Sequence, residues 1–542
     1  MSYIHEEEVG RIVGEATSTQ FIFVSNRDRY PPKYEYLVVK SREYVDGVLR
    51  DVDVLAQVQK IVTRSPVLSE NMDVKTVELI LNAGIDEVNV LGYARILGYI
   101  VEKNGRKKIY MPRRAVIPGN KVYIAPTNLL KKFFSFDEEE GLYIGNLILR
   151  QDVPVYISVN GFRRHLAILA QTGAGKSYTA GVLMEELLKK CATIVAIDPH
   201  SDYVFLSRKR DNTRFELWDK ITVYRNPNST GRYSVDELDN VKPYTIKFSD
   251  LGYDEICNIA GIPEKFSNIR QVIRVALEEL KNSGGDYDAR DLYKLIEKYS
   301  RYDREALKSM KINIDAVIRS LKYIERLLRL KVFGDRSVDI MEILKPCHLA
   351  DIDLSGLDDK SMDYIASRIL RDIYIALRNG EFKHPVFIFI EEAHKFIPPK
   401  GVGKTYSKDI INTLAAEGRK FGAFLILISQ RPCKIDSDSL SQCNSQIIMK
   451  MTNPQDQNAV RESSERVSED LISDLPGLNP GEAIIVGEVT RIPVMVKVRE
   501  RITREGGADI DVVNALKQIR EKASLETMEY RVARKRGIWS EI

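Results

Sequence analysis

From Val9 to about Val159, turn residues cut the chain into short segments of alternating or apolar character: VGRIVGEAT, QFIFVSN, KYEYLVVK, ARILGYIV, KVYIAP, GLYIGNLIL and VPVYISV. Many short strands punctuated by Gly and Pro predict a small β-barrel or sandwich. At His165 the pattern changes to a near-continuous apolar strand, LAILA, then a Gly-rich turn, the helical run YTAGVLMEELLKK and a second apolar strand, ATIVAID. Strands alternating with helices in this way predict a parallel sheet covered on both faces. Between about Leu251 and Pro346 the periodicity is helical. Ile269, Val272, Ile273, Ala276 and Leu280 share one face, with Ser267 placed to cap the start and Gly284-Gly285 to end the run. A second stripe joins Ile314, Val317, Ile318, Leu321 and Leu328. The α/β pattern then resumes with HLADIDLSGL, a long helix, the strands VFIFI and FLILIS, and a closing pair in EAIIVGEV and PVMVKVRE. The last forty or so residues read as a charged helical tail ending in Arg531, Arg534, Lys535 and Arg536.

These patterns divide the chain into a barrel at residues 1–159, an α/β core in two parts at 160–250 and 347–500, a helical insert at 251–346 and a tail at 501–542. A chain of 542 residues exceeds a single ordinary core, which agrees with several domains. Composition narrows the function less. The net charge of +4 comes from 81 basic and 77 acidic residues, so any nucleic-acid contact must come from a local patch. Cys191, Cys257, Cys347, Cys433 and Cys443 are scattered with no metal-ligand spacing and read as buried thiols of a reducing compartment. The N-terminal residues hold no apolar run, and no later stretch reaches the roughly 20 apolar residues of a membrane span. The expectation is a cytoplasmic protein without a membrane partner.

Chemistry first appears in Ala170-Gln171-Thr172-Gly173-Ala174-Gly175-Lys176-Ser177, between an apolar strand and an amphipathic helix. That is the context of a P-loop, whose backbone N–H groups and helix N-terminus cradle phosphates. Thr172, Gly173, Ala174, Gly175, Lys176, Ser177 and the adjacent Tyr178 are the expected ATP-binding set. Lys176 is expected to reach the β- and γ-phosphates and Ser177 to hold Mg²⁺. The pattern's first Gly is Ala170 here.

Hydrolysis also needs carboxylates. The strand Val386 to Ile390 ends in Glu391-Glu392, and neighbouring residues on a strand point opposite ways. Glu391, where Asp is usual, is assigned to the metal shell and Glu392 to water activation. Two solvated acids at a strand end is the plain alternative. A further strand ends in Ser429-Gln430-Arg431-Pro432. Gln430 is the candidate γ-phosphate sensor, or else a turn residue. Asp198, in AIDPHSDY, supports the metal or the water, or simply terminates its strand. For transition-state charge two arginines are candidates to act from a neighbouring subunit, Arg164 and Arg419, and each has an ion-pair alternative.

The order AQTGAGKS, AIDPHSDY, FIFIEEAHKF, EGRKFGAFLILISQRP and LPGLNPGEAIIVG closely resembles the HerA/FtsK superfamily of hexameric DNA pumps, and the VGRIVGEAT barrel narrows the likeness to archaeal HerA proteins. The resemblance implies an α/β fold with a RecA-like P-loop NTPase core, an N-terminal barrel and an inserted helical subdomain. It also implies ATP and Mg²⁺ use, a homo-hexamer, double-stranded DNA in its channel, and a NurA-type nuclease docking on the barrel side during DNA end resection and break repair. In such rings the C-terminal segment approaches a neighbour's nucleotide, which gives Arg491 and the basic tail a role. Two other functions share the motifs: a conjugation- or secretion-type ATPase moving protein or single-stranded DNA, and a scaffold gated by nucleotide that hardly hydrolyses it.

Overall fold

The computed structural model describes residues 7–507 apart from 86, 104, 105, 232, 465 and 466, together with 512–513, 516–517 and 519–520. The basic residues Arg531, Arg534, Lys535 and Arg536 lie outside the described residues.

Seven strands build the N-terminal unit: β1 (Glu8–Ala16), β2 (Gln20–Ser25), β3 (Tyr36–Val45), β4 (Val48–Arg64), β5 (Asn89–Lys103), β6 (Arg106–Tyr110) and β7 (Lys121–Ile124). Their order is β2-β1-β7-β3-β4-β5-β6, and an additional β2–β5 pairing closes six of them into a barrel. Closure works because inward positions alternate with outward ones; β2, for example, buries Phe21 and Phe23 completely.

The second unit is a twelve-stranded sheet. Its strands are β8 (Gly141–Leu147), β9 (Pro154–Ser158), β10 (Leu166–Leu169), β11 (Thr193–Asp198), β12 (Ile221–Arg225), β13 (Val241–Pro243), β14 (Leu349–Asp353), β15 (Val386–Ile390), β16 (Ala423–Ser429), β17 (Ser445–Met449), β18 (Glu482–Val486) and β19 (Val494–Val498). The order is β13-β12-β14-β11-β15-β16-β10-β17-β18-β19-β8-β9, parallel from β13 to β17 and antiparallel beyond. The central strands are apolar along their whole length because helices cover both faces, and every residue of β10 and β15 is buried.

Four expectations need correction. GLYIGNLIL and VPVYISV, expected in the barrel, form the β8–β9 hairpin at the edge of the large sheet, where β8 pairs with β19; the apolar alternation of an edge hairpin reads like that of a barrel strand. Ser267 does not cap its helix, Ser267–Asn282, which starts after Phe266 without a side-chain cap. In the helix Ile314–Leu328 the buried stripe runs through Val317, Ile324 and Leu327, while Ile318 and Leu328 face solvent. Cys191 and Cys347 are not thiols but a disulfide joining the turns that lead into β11 and β14, adjacent strands whose starts lie side by side.

Between β13 and β14 the chain folds into six helices, from Tyr253–Ala260 to Ile340–Ile343, and their apolar faces join one cluster with the sheet core. Residues 501–507 do not begin a free tail: Arg501 and Thr503 are buried, and the Glu185 carboxylate accepts from Ile502 N, Thr503 N and Thr503 Oγ1 at 2.9, 2.7 and 2.8 Å.

Candidate nucleotide-hydrolysis site

Parallel register puts the C-terminal ends of β10, β11, β15 and β16 along one edge of the sheet: Ile197 pairs with Ile390, Ile390 with Leu427, and Leu169 with Ser429. Loops leaving that edge of an open α/β sheet form its natural ligand site. The glycine loop leaves β10 there and enters the helix Lys176–Lys189. Gly173 and Gly175 have φ of 76° and 104°, a left-handed backbone that side chains disfavour, so the loop curls with its amides inward. Ala170 has no such φ. It is a buried continuation of β10 whose N–H donates to Ser429 O at 3.3 Å, which is why its methyl is tolerated where the motif has glycine.

Lys176 is nearly buried, and its ammonium pairs with Glu391 and lies 3.1 Å from Glu392 Oε1. Both carboxylates therefore face the same lysine, which corrects the expectation that they diverge. The strand ends at Ile390, and Glu392 takes a left-handed φ of 50°, so strand alternation no longer governs its direction. A non-glycine residue held there stores strain of a kind that clusters at functional sites. Ser177 Oγ donates to Glu391 Oε1 at 3.3 Å, and Tyr203 OH donates to Glu391 Oε2 at 2.5 Å. Burial raises the Glu391 carboxyl, against the pull of Lys176. Burial would raise Glu392 too, but hydrogen bonding from His394 and the charge of Lys176 outweigh it and bring the group down to about 2. His394 Nδ1 stands 3.1 Å from Glu392 Oε2 and 3.2 Å from Ser429 Oγ.

Thr172 donates its hydroxyl hydrogen bond to the Gln430 amide oxygen, so Gln430 sits against the phosphate loop. Asp198 is occupied otherwise: its two carboxylate oxygens accept from His200 N (3.1 Å) and Tyr203 N (2.9 Å), which folds the turn that delivers Tyr203 to Glu391. Burial, with Asp202 and Asp353 adding repulsion, raises Asp198 well above the ordinary carboxylate range. Tyr178 points away from the phosphate loop; its hydroxyl accepts from Arg501 N at 2.6 Å and from the Arg210 guanidinium.

Arg164, Arg419 and Arg491 come together elsewhere. With Arg163, Lys420 and Phe136 they line a cavity of about 630 Å³ that contains no residue of the glycine loop. Arg164 precedes β10 and Arg419 precedes β16, so they stand at the N-terminal ends of strands whose C-terminal ends carry Lys176 and Gln430. One strand length, on the order of 13–20 Å, separates the glycine loop from the arginine-lined cavity. Arg491 stacks 4.6 Å over Phe136 and donates to Lys132 O at 3.2 Å. The sequence reading missed Tyr203 and His394. Their signals were present in AIDPHSDY and EEAHKF, where a tyrosine and a histidine follow the strand-end acids at short spacing.

A family model described as "Helicase HerA, central domain" matches residues 142–373. The chain is 30% identical to the DNA double-strand break repair helicase HerA of Pyrococcus furiosus, covering 94% of this chain and 96% of that protein. It is 29% identical to the protein of the same name from Sulfurisphaera tokodaii, over 95% of this chain and 97% of that one. Among solved structures it is similar to the plasmid coupling protein TrwB in complex with a non-hydrolysable GTP analogue, with a TM-score of 0.47 and 15% identity over 71% of this chain and 95% of that one.

Proposed function

Since this chain belongs to the HerA helicase family of P-loop ATPases, we propose that it is a ring-forming motor that hydrolyses ATP between subunits to move double-stranded DNA. One observation carries the reading: the phosphate loop with its two carboxylates lies on one edge of the sheet, and the three arginines lie in a separate cavity at the other. A chain with complementary half-sites on opposite edges completes them by packing head to tail, and such contacts form a ring when the rotation between neighbours closes. The family supports six subunits.

Within the site, ATP phosphates are held by the amides of Thr172, Gly173, Ala174 and Gly175 and by Lys176, which exchanges its carboxylate partners for phosphate oxygens. Ser177 Oγ and Glu391 supply hard oxygen donors side by side, a set that suits Mg²⁺, which when bound neutralises phosphate charge. Glu392, ionised at neutral pH, takes the proton of the attacking water, with His394 Nδ1 3.1 Å from its other oxygen. Gln430 senses the γ-phosphate through its place beside Thr172. Asp198 acts on the metal region only through Tyr203 and Glu391. Arg164 and Arg419 stabilise transition-state charge on the neighbour's nucleotide, with Arg491 at the rim of the same cavity. Tyr178 fixes the 501–507 segment beside the nucleotide rather than touching phosphate.

On this reading the physiological task is DNA end resection in double-strand break repair, with a NurA-type nuclease docking on the barrel. Among the described residues no helix is long and apolar enough to cross a membrane. The test is ATP turnover with and without duplex DNA at low salt. Duplex DNA is expected to stimulate the parent, and Glu392→Gln to bind ATP without turning it over. A parent indifferent to duplex DNA, or a Glu392→Gln chain with unchanged turnover, contradicts the proposal.

A further inference from the structure

We infer that the outward faces of two helices of the insert, Ala289–Tyr299 and Ile314–Leu328, form a docking surface that captures duplex DNA by its phosphates, apart from the nucleotide site; this rests on the motor reading above. Residues 290–331 carry twelve basic and six acidic side chains, a net of +6 in a chain whose total is +4. The cations fall in stripes. Arg290, Lys294 and Lys298 recur every four residues along the first helix. Arg319, Lys322, Arg326 and Arg329 recur at three- and four-residue spacing along the second, whose C-cap is Arg329.

Each stripe points away from the core. Leu292, Ile296 and Tyr299 bury the opposite side of the first helix, Val317, Ile324 and Leu327 that of the second, and the two helices pack against each other. All twelve cations are exposed. Ion pairs stop at the borders of the run, with Lys247–Asp286 before it and Arg336–Glu342 after it. Within it, none of the eighteen charged side chains forms one among the described residues. Asp291 and Asp303 are occupied at helix starts, where they accept from Asp288 N at 3.0 Å and Ala306 N at 2.7 Å. Glu297 and Glu325 are the acids that border the stripes.

Like charges three and four residues apart on one helix repel, so the fold gains nothing from the stripes, and a polyanion supplies the partner they lack. From Arg319 to Arg329 the second stripe runs about 15 Å, a length over which duplex DNA presents on the order of nine phosphate charges. A protein partner fits less well. Ile318 and Leu328 are 50% and 40% exposed but stand at opposite ends of the helix, single apolar side chains rather than a patch. The run supplies no residue to the phosphate loop, its carboxylates or the arginine cavity, so it acts on the capture of DNA and not on the chemistry.

The experiment measures binding of two unrelated duplex DNAs as a function of salt, and ATP turnover against DNA concentration. It compares full-length parent, the Lys294→Ala/Arg319→Ala/Lys322→Ala/Arg329→Ala variant and a charge-keeping Lys294→Arg/Arg319→Lys/Lys322→Arg/Arg329→Lys control. The alanine variant is expected to lose affinity about tenfold or more for both DNAs, with a slope of log K against log salt shallower by about two to four. The DNA concentration giving half-maximal stimulation rises in proportion. Turnover at saturating DNA, turnover without DNA and Tm stay parental, and the control behaves as the parent. Parental affinity and slope in the alanine variant, or an equal loss in the control, overturn the surface and leave the motor reading intact. DNA binding at parental strength, with poly-glutamate bound by the parent and not by the alanine variant, gives the surface to an acidic protein and overturns it too. A parent that no duplex DNA binds overturns both readings.

Discussion

The Lys176 ammonium lies 3.1 Å from Glu392 Oε1 while also pairing with Glu391, so the group that is to hold phosphate and the two carboxylates of hydrolysis form one buried charge cluster. Removing one partner of such a cluster leaves uncompensated charge. Lys176→Ala is expected to abolish ATP binding and also to destabilise the chain by about 3 kcal/mol, measured by denaturant unfolding. Loss of binding at full stability contradicts the buried pairing.

Tyr203 donates to Glu391 Oε2, on the carboxylate assigned to the metal. Tyr203→Phe keeps the ring and removes that bond, so Glu391 becomes still harder to ionise. The expected outcome is a several-fold higher Mg²⁺ requirement in an ATPase titration, with near-parental turnover at saturating Mg²⁺. An unchanged requirement shows that Tyr203 does not position Glu391.

Burial lowers His165, which leads into β10, to about 4, and it lowers His348 to about 4 as well. As pH falls from about 6.5 towards 4, the unfolded chain takes up a proton at each position and the folded chain does not, so stability drops across that window. For His165 alone the loss is on the order of 2–3 kcal/mol. His165→Gln is expected to flatten the parental dependence of unfolding free energy on pH between these values. Glu392 behaves differently: its group, lowered to about 2, contributes stability that is present above about 4.5 and lost only as pH falls towards 2. A parent equally stable at pH 7 and pH 4.5 contradicts the burial of neutral histidines.

The Cys191–Cys347 bridge spans 156 residues, including the whole helical insert. Closing a loop of that length restricts the unfolded chain by about 5 kcal/mol in the chain-entropy model. A reducing agent is expected to lower Tm by several degrees in calorimetry, and the Cys191→Ser/Cys347→Ser double variant to start from the lower value and ignore the reductant. Equal sensitivity in the two proteins contradicts the bridge.

How much of this was legible in the sequence depends on how local each feature is. The phosphate cradle was fully so, since a strand, a glycine turn and a helix are consecutive. Arg164, Arg419 and Arg491 were each picked out, but their union in one cavity depends on which strands lie adjacent, and the β10–β16 pairing is what brings residues 164 and 419 to the same end of the sheet. The direction of Glu392 was misread because alternation was extended two residues past the strand into a left-handed turn. The β8–β9 hairpin and the packed 501–507 segment were misplaced for a related cause: hydrophobic pattern shows that a segment is buried, not against which sheet.

The division of the site between two copies is tested most directly by complementation. Glu392→Gln chains and Arg419→Ala chains, each nearly inactive alone, are mixed so that they share rings, and co-assembly is verified with two affinity tags. Because the two lesions fall on opposite sides of a subunit contact, roughly a quarter of random contacts pair an intact cradle with an intact arginine. The mixture is expected to recover DNA-stimulated turnover well above the sum of its components. Verified mixed rings that remain as inactive as the separate variants contradict a site shared between neighbours.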